Sequence, residues 1–362
     1  MNCFIKQNSN TMEKRKNYHK GQSLLLSGKK LILTLLGVFY FFLSCQKNNY
    51  FNLGKSEYDK GNYENAIVNY TKAIELKPDY AEAYNNRGLA YYDLQQYEKA
   101  IADYTKAIEL KPDYAEAYID RGDAYGELQQ YDKAISDYNK AIELKPDFAK
   151  AYNDRGVAYD NLQQYGKAIA DFTKAIELNP DLAVAYYNRG NAYANLQQYE
   201  KAIYNFNKAI ELKPDLAEPY INRGNAYGEL QQYDKAISDY TKAIELKPDL
   251  AVVYYNRGNG YFYLHQHEKA ISDYTKAIEL KQDYAKAYYN RGNAYTKLQQ
   301  YGKAISDYTK AIELKPDLAV AYYNRGFVYY FSGNTYKACK DWREAYLLGY
   351  YDAKELLDEY CK

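Results

Sequence analysis

The sequence predicts an all-α solenoid, and three observations carry that prediction. From residue 47 to residue 352 the chain repeats itself nine times at a fixed spacing of 34 residues. At that period each copy is one helical hairpin, which needs its neighbours to bury its apolar face. The copies also hold the same residues at the same places. Tyr stands at the fourth place of all nine (Tyr50, Tyr84, Tyr118 and onward to Tyr322), Gly at the eighth (Gly54 to Gly326), and Ala at the twentieth and twenty-seventh, as in Ala100 and Ala107. Within a copy, apolar residues fall at helical rather than alternating spacing.

In the copy 81–114, Asp79 after Pro78 is placed to cap the first helix, and Glu82 three residues on completes a capping-box spacing. Ala83, Tyr84, Ala90, Tyr91 and Leu94 form the apolar stripe of that helix, and Gln95-Gln96 makes the turn. The second helix carries Tyr97, Ala100, Ile101, Tyr104, Ala107, Ile108 and Leu110 on one face. Pro112 stops it, because proline cannot donate to the helix ladder and restrains the residue before it. Gly88, Ala100 and Ala107 lack bulk, so the two helices can approach closely with Tyr84, Tyr91 and Tyr104 beside them.

These residues resemble the tetratricopeptide repeat family, whose pattern runs W-x2-L-G-x2-Y, A-x3-F, P. The resemblance implies a right-handed superhelical solenoid with a concave groove. The nine units are 47–80, 81–114, 115–148, 149–182, 183–216, 217–250, 251–284, 285–318 and 319–352, closed by a polar capping helix in 353–362. The family's Leu at the seventh place is Arg in eight copies, and in seven of those the twenty-third place is Asp, as in Asp103, Asp137 and Asp341. Where the seventh place is Leu53, the twenty-third is Asn69. This pairing predicts a salt bridge between the helices of a hairpin. Arg189 with Asn205 departs from it, and the competing expectation is a solvent-facing pair of little consequence.

Residues 1–45 lie outside the repeat. Lys29-Lys30 precede an apolar run from Leu31 to Leu43, followed by Ser44-Cys45. A basic region, a short apolar core and a small residue before a cut describe a secretory signal too short to span a bilayer comfortably. The ending resembles the lipobox of bacterial lipoproteins, which implies lipid on Cys45 and anchoring in a bacterial cell envelope. An uncleaved signal anchor is the alternative, and Met12 is a plausible start. Cys339 and Cys361 are candidates for a disulfide in an oxidising envelope, with two separate thiols as the alternative.

Beyond its first 44 residues the chain holds 41 basic and 46 acidic side chains, an acidic body with dispersed Lys that excludes a nucleic-acid footprint. No stretch forms a catalytic constellation, a glycine-rich phosphate loop or a metal site, so neither an enzyme, a cofactor nor a small-molecule substrate is expected. His265 and His267 replace Gln and Tyr in one turn, without metal-ligand spacing.

Second helices are almost invariant: residues 238–252 and 306–320 are one string. Variation concentrates in the first helix, at the second, fifth, ninth, twelfth and thirteenth places, which the resemblance implies line a peptide-binding face. The first half of that face is acidic and polar (Glu82, Asn85, Asp93, Glu116, Asp123, Glu127, Asn153, Asp160). The second half has an Asn ladder (Asn191, Asn225, Asn259, Asn293) beside Tyr187, Tyr255, Tyr289 and Tyr323, with Phe262, Tyr263, Phe327, Tyr330 and Phe331 toward the end. Asn amides can donate to and accept from an extended peptide backbone, with tyrosines supplying apolar contact. Drift at solvent-facing places, with aromatics serving only to pack copy on copy, is the competing reading. The expected function is therefore a membrane-anchored protein-interaction scaffold binding an extended peptide segment. An outer-membrane or pilus assembly lipoprotein, or a carbohydrate- or peptidoglycan-binding envelope protein, are the alternatives.

Overall fold

The computed structural model describes residues 46–362, and no strand occurs among them. Helices follow one another as hairpins: α1 over residues 46–59 with α2 (Tyr63–Leu76), α3 (Ala81–Asp93) with α4 (Tyr97–Leu110), and α5 (Ala115–Glu127) with α6 (Tyr131–Leu144). Then come α7 (Ala149–Asn161) and α8 (Tyr165–Leu178), α9 (Ala183–Asn195) and α10 (Tyr199–Leu212), and α11 (Ala217–Glu229) and α12 (Tyr233–Leu246). The run ends with α13 (Ala251–Tyr263) and α14 (His267–Leu280), α15 (Ala285–Lys297) and α16 (Tyr301–Leu314), α17 (Ala319–Phe331) and α18 (Thr335–Leu347), and the closing α19 (Ala353–Tyr360). Packing divides the chain into an N-terminal unit ending at Ala158 and a C-terminal unit beginning at Tyr159. Each is a stack of hairpins.

The small residues set the packing distance. A Cβ added at Gly88 would lie 2.5 Å from the Tyr104 ring, and one added at Gly190 would lie 2.6 Å from Phe206. The eighth place is therefore glycine because the aromatic ring of the second helix lies directly on its backbone. Ala100, Ala107, Ala202 and Ala304, from the twentieth and twenty-seventh places, are fully buried, and so are Tyr104, Phe206 and Trp342 from the twenty-fourth. In the last copy Trp342 takes the ring position. Its indole Nε1 donates to the Tyr323 carbonyl at 3.2 Å, under a cover that includes Leu356, Leu357 and Tyr360 of the closing helix.

The helix starts differ from expectation. Tyr80, not Asp79, stands at the N-cap of α3, with no side-chain capping bond, and the Glu82 carboxylate instead lies 3.7 Å from Lys111. The aromatic ring at this junction fills the hairpin seam, as Tyr114 does beside Ala107 and Ala117, so packing rather than capping fixes the start. The turns hold a second feature. The first glutamine of the Gln-Gln pair is left-handed, with φ of 58° at Gln95 and 59° at Gln299, while the first and last copies use Gly61 and Gly333 at that point.

A candidate peptide ladder and an acidic cluster

The seventh-place arginines are the frame on which any site is built. Arg87 Nε and Nη2 each donate to Asp103 at 2.7 Å, and Arg291 does the same to Asp307 at 2.7 and 2.8 Å. The Arg87 side chain is 17% exposed and that of Asp103 is 9%, so the pairs are not solvent-facing. Arg189 keeps a single bond, from Nε to the Asn205 carbonyl oxygen at 2.8 Å. The remaining arm had no counterpart in the sequence reading. Arg87 Nη1 reaches Thr71 of the preceding copy at 3.0 Å, and Arg223 Nη1 reaches Asn207 at 2.6 Å. Each such guanidinium therefore closes its own hairpin and ties it to the one before. It also lies on the fourth-place tyrosine, 5.4 Å from the ring centre in the pair Arg87–Tyr84.

In the C-terminal unit the ladder asparagines belong to a repeated network. Asn259 Oδ1 accepts from Asn290 Nδ2 and from the Tyr274 hydroxyl, both at 2.8 Å. Asn293 Oδ1 accepts from Asn324 Nδ2 at 3.0 Å and from the Tyr308 hydroxyl at 2.7 Å. Asn225 takes the same two bonds from Asn256 and Tyr240, and Asn191 accepts from Asn222 at 2.8 Å. The expected two-way pairing with a peptide backbone narrows: the Oδ1 of each amide already accepts within the protein, the Asn259 and Asn293 amides also donate toward the Tyr255 and Tyr289 hydroxyls, and the remaining N–H of Nδ2 is what the ladder has to offer. The donors that engage them sit at the sixth place, a position the sequence reading passed over. Its sequence signal is slight: the place is Asn in seven copies and Asp in two, Asp120 and Asp154.

The tyrosines move from the groove to its floor. Tyr255 and Tyr289 accept at their hydroxyls from Asn290 and Asn324, while their rings pack 5.9 Å from Tyr274 and Tyr308. Tyr187 accepts from Asn222 and packs on Phe206, and Tyr323 packs 4.5 Å from Tyr350 under the closing helix. Their rings therefore pack inside their own hairpins, while the hydroxyls of Tyr187, Tyr255 and Tyr289 reach the next one. Three concavities run beside the ladder itself. One of about 750 Å³ includes Asn225, Asn259, Gly260 and Tyr263; one of about 380 Å³ includes Asn191 and Asn225; one of about 330 Å³ includes Asn293, Phe262 and Phe331. Tyr263 is 58% exposed and stacks on Tyr233 at 4.9 Å, and Phe331 is 62% exposed.

In the N-terminal unit the same places carry charge. Asp123, at the ninth place, accepts from the Tyr138 hydroxyl at 2.8 Å. The Lys150 ammonium lies 2.7 Å from Asp123 and 2.8 Å from Asp154. Those two carboxylates hold the lysine charged, well above its ordinary range. Asp120, at the sixth place, accepts from Asn85 Nδ2 at 2.9 Å, and burial pushes its carboxyl up to about 6 despite that bond.

Cys339 and Cys361 are joined, with Cα atoms 5.6 Å apart, and tie α19 to α18. Cys45 and the apolar run before it lie outside the described residues. Among the described residues no helix is long and apolar enough to cross a membrane, and no cluster of three or more His, Cys, Asp or Glu side chains could hold a metal. His267 packs 5.2 Å from Phe262, and burial lowers its pKa.

A stack of hairpins closed by a repeated buried clamp after the first, with variable polar residues along one face, defines a repeat scaffold. Models described as TPR repeat and tetratricopeptide repeat match residues 54–95, 81–114, 103–136, 122–163, 149–182, 172–204, 190–231, 217–250, 258–299 and 285–318. The chain belongs to the tetratricopeptide repeat family, whose folds are in general non-catalytic scaffolds that bind protein partners. No curated protein matches the chain. Among solved structures, the C-terminal part of a TPR repeat-containing protein from Cytophaga hutchinsonii is 24% identical, covering 63% of this chain and 94% of that one, with a TM-score of 0.55. A tetratricopeptide repeat protein from Parabacteroides merdae is 23% identical over 70% of this chain and 98% of that one, with a TM-score of 0.52. For pilF of Pseudomonas aeruginosa the figures are 19%, 57%, 94% and 0.52. At these identities the likeness concerns the fold alone.

Proposed function

We propose that this protein is a scaffold held at a bacterial envelope membrane through the segment ending at Cys45, and that its C-terminal unit binds an extended peptide segment along the asparagine ladder. The observation that carries the reading is the row Asn191, Asn225, Asn259 and Asn293. Their carbonyl oxygens are fixed by neighbours, which orients the amides, and they line concavities edged by the exposed Tyr263 and Phe331. Oriented N–H donors at repeat spacing suit the carbonyls of an extended chain, with the aromatic rings taking apolar side chains at small entropic cost.

The inner bonds need only an acceptor at the ninth place, and Asp123 already serves there. Asn225→Asp, Asn259→Asp and Asn293→Asp together therefore keep the inner acceptors and remove the donors. Peptides selected from a displayed random library against the full chain should lose at least tenfold in affinity for the triple variant, measured at a temperature where circular dichroism shows both proteins folded. Selection of nothing, or unchanged affinity, would refute the groove. The anchor is tested separately by intact mass and detergent partition of the protein from its native cell. A soluble or uncleaved product would remove the lipoprotein reading and leave the scaffold.

A further inference from the structure

The C-terminal network and its N-terminal counterpart differ in how completely they are closed. In the copy 81–114 the ninth place is Leu89, so the Tyr104 hydroxyl lacks the acceptor that Asn259 and Asn293 give Tyr274 and Tyr308. Tyr104 is fully buried, and its hydroxyl has no partner within the protein. The fifth place is Asn85 where later copies have Tyr255 and Tyr289. It is 3% exposed, its Nδ2 is given to Asp120, and its Oδ1 is unpartnered. Burial raises the Tyr104 hydroxyl, and the charges of Asp120 and Asp123 add to the rise, so it lies within their electrostatic reach.

The charge count is unbalanced as well. Asp123 and Asp154 share the Lys150 ammonium, while Asp120 has an amide donor and feels Lys150 only from beyond ion-pair distance. A buried polar group without a partner is unfavourable, and an uncompensated buried charge is more so. Three acceptors (Asp120, Asn85 Oδ1 and the Tyr104 oxygen) therefore stand beside Asp123 and Asp154 in a group where three carboxylates are set against the one Lys150 ammonium. The complementary group carries a positive charge and several N–H donors and no acceptor. An ammonium has three such donors and a guanidinium five.

We propose that Asp120, Asn85 and Tyr104 form a subsite for the side-chain cation of a partner peptide, a lysine ammonium or an arginine guanidinium. The subsite rests on the reading of the chain as a protein-binding scaffold, but it lies in the N-terminal unit, apart from the asparagine ladder. It commits the partner to a basic residue.

The test uses the full chain and labelled Gly-Ser peptides with one central Lys, Arg or norleucine, followed by fluorescence anisotropy. Free Nα-acetyl-lysine amide, followed by calorimetric titration, is added as a probe that needs no groove. Lys or Arg should bind at least tenfold more tightly than norleucine. Asp120→Asn should erase that difference, and Tyr104→Phe should reduce it severalfold. Glu98→Gln, which removes a surface charge from α4, should leave it intact. Failure of the ladder variants above would not touch these outcomes, and the free probe reports on the subsite even if no peptide occupies the ladder. Equal binding of Lys and norleucine, or equal effects of Asp120→Asn and Glu98→Gln, would overturn the subsite and leave only general attraction to an acidic surface.

Discussion

The sixth place of the repeat shows how two units on one frame diverge. In the C-terminal unit Asn290 donates to both Tyr255 and Asn259, and the polar groups around it are neutral and satisfied. In the N-terminal unit the same place is Asp120, which cannot donate when ionised, beside an orphaned Tyr104 and a half-used Asn85. Three exchanges separate the closed joint from the open, charged one: Asp120 for Asn290, Asn85 for Tyr255 and Leu89 for Asn259. The frame does not change: Arg121 grips Asp137 as Arg291 grips Asp307. Stability is therefore built into the clamp, and the joint between copies is where the sequence can vary without dissolving the stack.

The largest effect is expected where the units are alike. Removing the acid from a buried clamp leaves a charged guanidinium uncompensated, at a cost of about 3–5 kcal/mol. Asp137→Ala and Asp307→Ala should lose this amount equally, measured by hydrogen exchange within each unit, because a repeat array need not melt as one body. Asp307→Asn should lose much less, since Asn205 already serves Arg189. Unequal losses for the two alanine variants would mean that the units do not share one frame. Next comes the C-terminal unit's closing disulfide, for which the chain-entropy model gives about 3 kcal/mol. Cys361→Ser should expose α19 and the Trp342 core to exchange and leave the N-terminal unit unchanged. Faster exchange throughout would show coupling well beyond the cap.

The direct test of the comparison is to swap the joint. Burial raises the Asp120 carboxyl from an ordinary value near 3.8 to about 6, against the Asn85 bond, with Asp123 and Glu116 adding to the rise and Lys150 opposing it. A carboxyl raised in the folded state binds its proton more tightly there than in the unfolded chain. Folding is therefore opposed above pH 6, and the opposition vanishes below about pH 4. Asp120→Asn should accordingly stabilise the N-terminal unit by about 2–3 kcal/mol at pH 7.5 and by almost nothing at pH 4. Asn290→Asp should destabilise the C-terminal unit by about 1–3 kcal/mol, because two acceptors lose their donor. Thermal melts at the two pH values decide it. A gain from Asp120→Asn that persists at pH 4 would mean that burial of charge is not its source.

Much of the shared frame was legible in the residues, because each of its parts recurs with the period. The hairpin, the closely packed Gly88 and Ala100, and the pairing of Arg87 with Asp103 all follow from correlated places within one copy. The joint was harder to read, because its partners lie in different copies. Asn290 meets Tyr255 and Asn259 of the copy before it, and Thr275 of that same copy takes the third arm of Arg291. A scan of one copy for its variable places sees Asn259 as a free amide and Tyr255 as a groove wall, when both are part of the seam. The helix start was misplaced at Asp79 for a related reason: the capping-box spacing is local, while Tyr80 is held by packing against the next hairpin.

The smallest expected difference lies in the turns, where the two units should again agree. Gln129 and Gln299 sit at φ of 57° and 59°, a region that costs an L-residue with a side chain about 1–2 kcal/mol. Glycine removes that strain but loses about 0.5–1 kcal/mol through its freer unfolded chain. Gln129→Gly and Gln299→Gly should therefore each stabilise by about 0.5–1 kcal/mol, and the reverse change Gly333→Gln should cost a similar amount. The strain belongs to the backbone of a single residue and involves no partner in another copy, so the gains should match between units and add when combined. Calorimetry on the two single variants and the double variant measures this. A gain in one unit only would show that the turns too have diverged, and that the difference between the units reaches below the joint into the frame.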